Sequence, residues 1–493
     1  MHTTHSCCTC LSRRECLTLL SSAASVPGLA AKALSEQTSQ RIYEPGGPID
    51  PAGLRPKPRV HIMAAILEMP RPYWLGWPGT AYDLDARQKE YLADLDSSAH
   101  RLGLHVDVEP SPISKEDAFS NFLGRVKSVH PHGVLVILQH MNCWNWADRL
   151  AREADTPVII FSPIGTSFTG HVVEISRRKG VYVASTLDWR AVELGLRMIR
   201  AKQMFEEARI LHIVGSSRGD SVIETLGCRV RAIPRDAFNT LFDRIPATNE
   251  VKAIAADFRR HAKAVREPTW QDSVNSARAL VTAEQLMLQE QANNLSMDCL
   301  GMVGAKLVPT PPCGAWTILQ DHGVTAGCEA DLFGAVSLML TSYLLDRPGY
   351  MNDPVADTAR NLLVTAHCTC GTRIRGFNEP PVPYILRSHS ESGLGVSVQV
   401  LWPVGQPVTL VRFTGPNELL VDTGTVVENI DTPPAGGCRT SLALKMDRIE
   451  DTRDVLGFHQ VVTLGDHRRT LASFCQLYGI RLIHSPERSP SPA

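Results

Sequence analysis

The sequence predicts an α/β protein: two Rossmann-like parallel α/β domains followed by a β-rich, antiparallel, barrel-like C-terminal domain. Three observations carry this expectation. Continuous Val/Ile runs alternate with amphipathic helical stretches through the first part of the chain, the pattern of a parallel sheet covered on both faces. The alternation resumes with longer helices as far as residue 365. Beyond residue 366 it gives way to short strand-like runs that Gly, Pro, Asn and Asp interrupt at close intervals, as in an antiparallel sheet or barrel.

Taken in order, residues 1–33 read as a twin-arginine export signal. Ser12-Arg13-Arg14-Glu15-Cys16-Leu17 precedes a modest apolar stretch, and Ala31-Lys32-Ala33 offers a small-residue cleavage site. Cys16 and Lys32 depart from that pattern, and a basic tail on a cytoplasmic enzyme is the alternative. Residues 34–57 form a linker rich in Gln, Ser, Gly and Pro. Residues 58–177 make the first α/β domain, with strands over Arg59 to Leu67, His105 to Val108, Gly133 to Leu138 and Pro157 to Phe161. Residues 178–365 make the second. There Leu187 to Glu207 is helical, Arg209 to Val214 is a strand, and Gly215 to Gly219 reads as a plain turn from strand to helix. Helical patterns then cover Asn249 to Val265 and Thr269 to Leu295. Residues 366–485 form the β-rich domain, and 486–493 a disordered tail.

Composition narrows the function classes. The 493 residues hold 50 Lys plus Arg against 51 Asp plus Glu, so no basic field points to nucleic acid. No apolar run approaches the roughly 18 to 20 residues of a spanning helix, so the mature form is expected to be free of the membrane. A dinucleotide fingerprint is also missing. Thirteen cysteines are present, four of them within the signal. The remaining nine are an odd, scattered set, which argues against a disulfide framework. His2, His5, Cys7, Cys8 and Cys10 look metal-competent but fall in the segment expected to be removed.

The chemistry concentrates in three later stretches: Cys328-Glu329-Ala330-Asp331-Leu332, Met351-Asn352-Asp353-Pro354 and Gly457-Phe458-His459-Gln460. Each sets a metal-competent side chain beside small or turn-forming residues at the end of an apolar run. Two carboxylates and one imidazole suit a hard or borderline divalent cation with positions left for substrate. Each residue also has a plainer reading. Glu329 and Asp331 favour a helix N-terminus by charge alone, Asn352-Asp353-Pro354 is ordinary turn chemistry, and His459 fits a satisfied core position.

Their succession, followed by Ala366-His367-Cys368 and Gly465-Asp466-His467, resembles the L-fucose isomerase and L-arabinose isomerase superfamily over roughly residues 310 to 485. The resemblance implies Glu329, Asp353 and His459 as metal ligands, Glu329 and Asp353 also as catalytic acid and base, and manganese or another divalent metal as cofactor. His367 stands where arabinose-type enzymes carry one more histidine ligand. A monosaccharide substrate and a homo-oligomer, in which a neighbour's N-terminal domain covers the site, are further implications. So is aldose-ketose interconversion through an enediol on an open-chain sugar.

Four residues are weaker candidates for substrate contact. Trp144 and Asn145 follow a strand end, where an indole stacks on a sugar face or simply packs. His389 lies at another strand end, and Arg439 in a turn-rich segment suits sugar hydroxyls. Twin-arginine export carries folded proteins, which fits a metal loaded in the cytoplasm and a periplasmic or exported location. Two competing functions use the same residues: an exported sugar-binding protein without turnover, and a metal-dependent epimerase or hydrolase of a polyhydroxylated substrate.

Overall fold

In a computed structural model, which describes residues 50–73, 83–308, 310–434 and 436–486, the Val/Ile runs form two separate sheets, the first wholly parallel and the second parallel except for one antiparallel edge strand. The export segment, most of the linker, the N-terminal Cys/His group and the tail beyond residue 486 lie outside the described residues. The first sheet contains β1 (Val60–Leu67), β2 (Leu104–Val108), β3 (Gly133–Leu138), β4 (Val158–Ser162) and β5 (Val181–Ser185), in the order β2-β1-β3-β4-β5. All its pairings are parallel, and β3 and β4 are buried along their whole length. Helices Leu84–Leu102, Glu116–Val129 and Trp144–Glu153 make the crossovers, as a parallel sheet requires.

The second sheet holds β6 (Arg209–Ile213), β7 (Gly219–Ile223), β8 (Cys228–Ile233), β9 (Asn294–Met297) and β10 (Ala326–Gly327), in the order β10-β9-β6-β8-β7. Two local expectations fail here. Gly215 to Gly219 leads into a strand and not a helix, because Gly219–Ile223 folds back antiparallel on β8. The long helix stops at Gln289, and Gln291 turns with a φ of 52°, so Asn294–Met297 becomes a buried central strand. The segment Asn294-Leu295-Ser296-Met297 is half polar and too short to establish a strand period of its own, so by sequence it reads as the end of the preceding helix.

The β-rich region closes into a six-stranded antiparallel barrel. Its strands are β11 (Tyr350–Asp357), β12 (Leu362–His367), β13 (Pro407–Gly415), β14 (Glu418–Asn429), β15 (Thr440–Met446) and β16 (Gln460–Leu464). The order is β13-β16-β11-β12-β15-β14, with a β13–β14 pairing to complete the ring. β17 (Arg481–Ile483) adds in parallel to β14. Closure removes the exposed edges that an open sheet of this composition would present. A core of Tyr350, Leu363, Trp402, Leu410, Leu444 and Val462 belongs to this region. Among the described residues no helix is long and apolar enough to cross a membrane.

One helix, Leu332–Leu345, joins the second sheet to the barrel and is buried over most of its length. Both of its ends are fixed by carboxylates. Asp331 caps the N-terminus, its Oδ1 accepting from Gly334 N–H at 2.8 Å, which satisfies a donor that helix geometry leaves free. At the C-terminus Asp346 takes a left-handed φ of 50° and accepts from Arg55, Arg197 and Arg200, each at 2.8 Å. Burial works to raise the Asp346 carboxyl, but the Arg200 and Arg55 guanidinium groups outweigh it and hold the group below its usual range.

A group so depressed contributes stability that is present above its unfolded pKa and lost as pH falls through the folded one. Asp346→Asn strands three guanidinium groups around a neutral amide and is expected to cost on the order of 3 kcal/mol at neutral pH. Denaturant titration checks this, and the difference from the parent should shrink as the pH is lowered toward the acid range.

Candidate metal centre

The chain reaches the site from three directions, and local backbone explains each. After β10 the backbone passes through Glu329 and Ala330 with φ of 58° and 54°, a left-handed pair that non-glycine residues seldom adopt. Ala330 N–H donates to Met297 O at 2.9 Å, and Glu329 N–H points at Cys299 Sγ at 3.5 Å. Asp331 then starts the helix. Asp353 lies inside β11 and not in a turn, with Ala366 of β12 as its register partner. On its other side Asn352 pairs with Gln460, which sets Asp353 beside His459, the residue before β16. His459 itself has a φ of 53° and follows Gly457 at 84°. Left-handed backbone at two of the converging residues is the kind of strain that collects at functional sites.

Glu329, Asp353, His367 and His459 each offer one ligand atom within 4.8 Å of the others. His459 Nε2 lies 3.1 Å from Asp353 Oδ1 and 3.4 Å from Glu329 Oε2, while His367 Nε2 is 3.6 Å from Glu329 Oε1. These contacts are close in distance yet lack hydrogen-bond alignment. His367 Nε2, His459 Nε2 and Asp353 Oδ1 are all buried without a hydrogen-bond partner. An unpaired buried polar atom is costly, and three facing one point fit a divalent cation. Two carboxylates with one or two imidazoles form an open, oxygen-containing ligand set of the kind manganese, magnesium, iron or cobalt accept.

The other ring nitrogen of His459 is fixed. Nδ1–H donates to Asp331 Oδ2 at 2.8 Å, and Arg412 donates to the same oxygen at 2.6 Å. Burial works to raise the Asp331 carboxyl, but the His459 ring and the Arg412 guanidinium outweigh it and hold it at about 2. Asp331 therefore stays anionic, and it leaves His459 Nε2 facing the point where the four side chains converge, an arrangement that would orient a histidine ligand. The rings of His367 and His459 hold the Glu329 carboxyl far below its usual range. For His459, burial pushes the pKa down, and the Asp331, Asp353 and Glu329 carboxylates overcome it and raise the group to about 11.

The cluster opens onto a cavity of about 130 Å³, with room for about four waters. Glu329, Asp353 and His367 line one part of it, with His389 and Glu391 nearby. Leu300, Val303, Pro311, Pro312 and Phe458 form an apolar wall, and Cys299, Cys313, Cys328, Cys368 and Cys438 complete the lining. All nine described cysteines are free. No lysine or arginine is among the lining residues.

Of the four weaker sequence candidates, only His389 lines this cavity, its Nδ1 3.1 Å from Ser392 Oγ. Arg439 does not reach it. Its guanidinium is wholly buried and donates to the carbonyls of Ser388, Pro433 and Pro434 at 2.6, 2.8 and 2.8 Å, so it braces the loop next to His389. Trp144 and Asn145 are also absent from the lining. The Trp144 indole is buried and donates to Thr166 O at 2.8 Å, while Asn145 is exposed on the helix Trp144–Glu153. A partnered, buried indole has no free face for a sugar within the chain.

Sequence reasoning assigned Asp331 only a helix-start role. Its position two residues after Glu329, just ahead of an apolar helix, was the available signal, but its pairing with a histidine 128 residues away leaves no local pattern. The ring of thiols was likewise invisible, since its members come from five separated positions.

Over 60 residues the chain is 35% identical to the sulfoquinovose isomerase of Clostridium sp. (strain MSTE9), a stretch that makes up 12% of this chain and 13% of that protein. No family model matches the sequence.

Proposed function

We propose that this chain is a metal-dependent sugar isomerase that interconverts the aldose and ketose forms of an open-chain monosaccharide. The observation that carries the reading is the convergence of Glu329, Asp353 and His459, with His367, on one point at a cavity, with three inward atoms lacking hydrogen-bond partners. The likeness to a sulfoquinovose isomerase over a short stretch supports the reaction class.

A bound divalent cation, manganese by the resemblance to the fucose and arabinose isomerases, supplies a Lewis acid for neighbouring sugar oxygens. The residues supply the rest. Isomerisation moves one proton between adjacent carbons, which calls for a base and an acid in reach of the same two atoms. Glu329, kept anionic by the two imidazoles, is suited to take the proton, and Asp353 to manage the one exchanged at oxygen. His459 is held by Asp331 in the orientation the centre needs. The apolar wall of Leu300, Val303, Pro311 and Pro312 excludes water from one side.

The lining also bears on the substrate. With no lysine or arginine among its described lining residues and Glu391 among them, a neutral sugar suits the cavity better than a sulfonated one. Export of the folded, metal-loaded protein and assembly into a homo-oligomer, whose neighbouring subunit completes the cavity near Phe458, belong to the same proposal.

The test is an aldose screen with manganese-loaded protein, following ketose formation and including sulfoquinovose. Turnover of about 1 s⁻¹ or more on a neutral aldose is expected. Sugar binding without ketose formation would replace the isomerase with a binding protein. An epimer or a hydrolysis product would replace it with the third reading.

A further inference from the structure

A second group of ligating side chains lies on the edge of the first sheet, and nothing in the isomerase reading uses it. β1 reads Val-His-Ile-Met-Ala-Ala-Ile-Leu and is buried at every position but His61. β2 is the edge strand beside it, and the parallel register pairs His61 with His105 and Met63 with Asp107. Side chains two apart on a strand share a face, so His61, His105 and Asp107 project together from one side.

Their geometry is convergent. His61 Nε2 is 2.8 Å from Asp107 Oδ2, and His105 Nε2 is 3.2 Å from Asp107 Oδ1. The two rings lie 5.2 Å apart with planes inclined by 32°, and one ligand atom from each of the three residues falls within 4.8 Å of the others. The strand behind them is held in place: His61 N–H donates to His132 Nδ1 at 2.9 Å, and His132 N–H returns a bond to His61 O at 2.8 Å. Burial keeps the His132 imidazole below its usual pKa, consistent with a neutral acceptor there.

An exposed imidazole-carboxylate ion pair contributes about 0 to 1 kcal/mol, a weak return for directing two Nε2 atoms at one carboxylate. A cation gives the arrangement a stronger purpose.

We propose that His61, His105 and Asp107 bind a borderline divalent cation such as zinc, nickel or copper(II), separately from the centre at Glu329. Two imidazoles and one carboxylate are the donors these ions favour over manganese or magnesium. Three protein ligands leave an open position on the solvent side, where the His105 side chain is 71% exposed, for water or an outside ligand.

The test uses the full chain carrying Glu329→Gln and Asp353→Asn, so that the barrel centre does not contribute. Equilibrium dialysis against zinc near neutral pH is expected to show one equivalent bound, lost on adding His105→Ala and lost again on adding Asp107→Asn. Cobalt(II) in place of zinc gives a visible absorption band that disappears in the same two variants. His105 is exposed on an edge strand, so its removal leaves the fold intact, and far-UV circular dichroism checks that. Failure to bind zinc in the Glu329→Gln, Asp353→Asn protein overturns the proposal. So does zinc that persists after His105→Ala, which would place it elsewhere, for instance on the Cys and His residues of the first ten positions.

Discussion

Glu329→Gln is expected to leave the protein folded and to lower isomerase turnover by roughly 10³-fold or more, the range lost when a positioned general base is removed. Glutamine matches glutamate in size, and the hydrogen bond that shapes this turn, Ala330 N–H to Met297 O, is made by backbone alone. What changes is charge. The amide no longer balances the His367 and His459 rings, and one of the two carboxylates of the centre is gone. The variant should also lose metal-dependent stabilisation. In the parent, manganese at about 100 times its dissociation constant should add about 2.7 kcal/mol, removed by chelator. In Glu329→Gln the thermal midpoint should be nearly the same with manganese and with chelator. Melting curves with and without chelator, beside a ketose assay, check both parts.

The second large effect is expected at a residue that does not touch the ion. Asp331→Asn should weaken metal affinity by about 10- to 100-fold, the usual loss when the partner of a ligating histidine is removed. Asparagine is the informative choice because its side-chain oxygen still caps the helix at Gly334, a position where Asn serves as well as Asp. The anion that accepts from His459 Nδ1 and from Arg412 is what disappears. Asp331→Ala would remove the cap as well and confound the two roles. Metal titration of Asp331→Asn reads the effect, and turnover should recover in part at high manganese. Saturating manganese should not rescue Glu329→Gln, which separates a residue proposed to position a ligand from one proposed to be both ligand and base.

The contrast between those two residues shows how far the sequence can be read. Glu329, Asp353 and His459 were legible because each sits in a short segment of small and turn-forming residues beside an apolar run, and because their order along the chain resembles a known succession. The parallel sheets were legible for a similar reason: β3 and β4 are buried on both faces and read as unbroken Val/Ile/Leu runs. The barrel announced itself through turn residues, although Glu418–Asn429 is one strand of 12 residues, longer than the short runs the sequence suggests. A bulge near Val426 in its pairing with β15 shows that its irregularity is local and does not end the strand.

What stayed hidden depends on distance in sequence. Asp331, at the start of the helix Leu332–Leu345, meets His459 just ahead of β16, and Arg439 spends its donors on carbonyls of its own loop and of Ser388. Trp144 is consumed by packing below Thr166. In each case the partner that decides the residue's role is set by the tertiary fold, far from it in sequence or hidden in its packing. The strand at Asn294–Met297 failed for another reason. Four residues of mixed polarity after a long helix are too few to carry a clear period of their own, and only pairing with Ile210 to Ile213 makes them a strand.

The most direct test of the centre is an anomalous difference map from crystals of the protein grown with manganese. A single strong peak between Glu329, Asp353 and His459, with His367 within coordination reach, is the result this account predicts. A map with no manganese at those residues, in crystals where the ion is otherwise bound or present in excess, would contradict it.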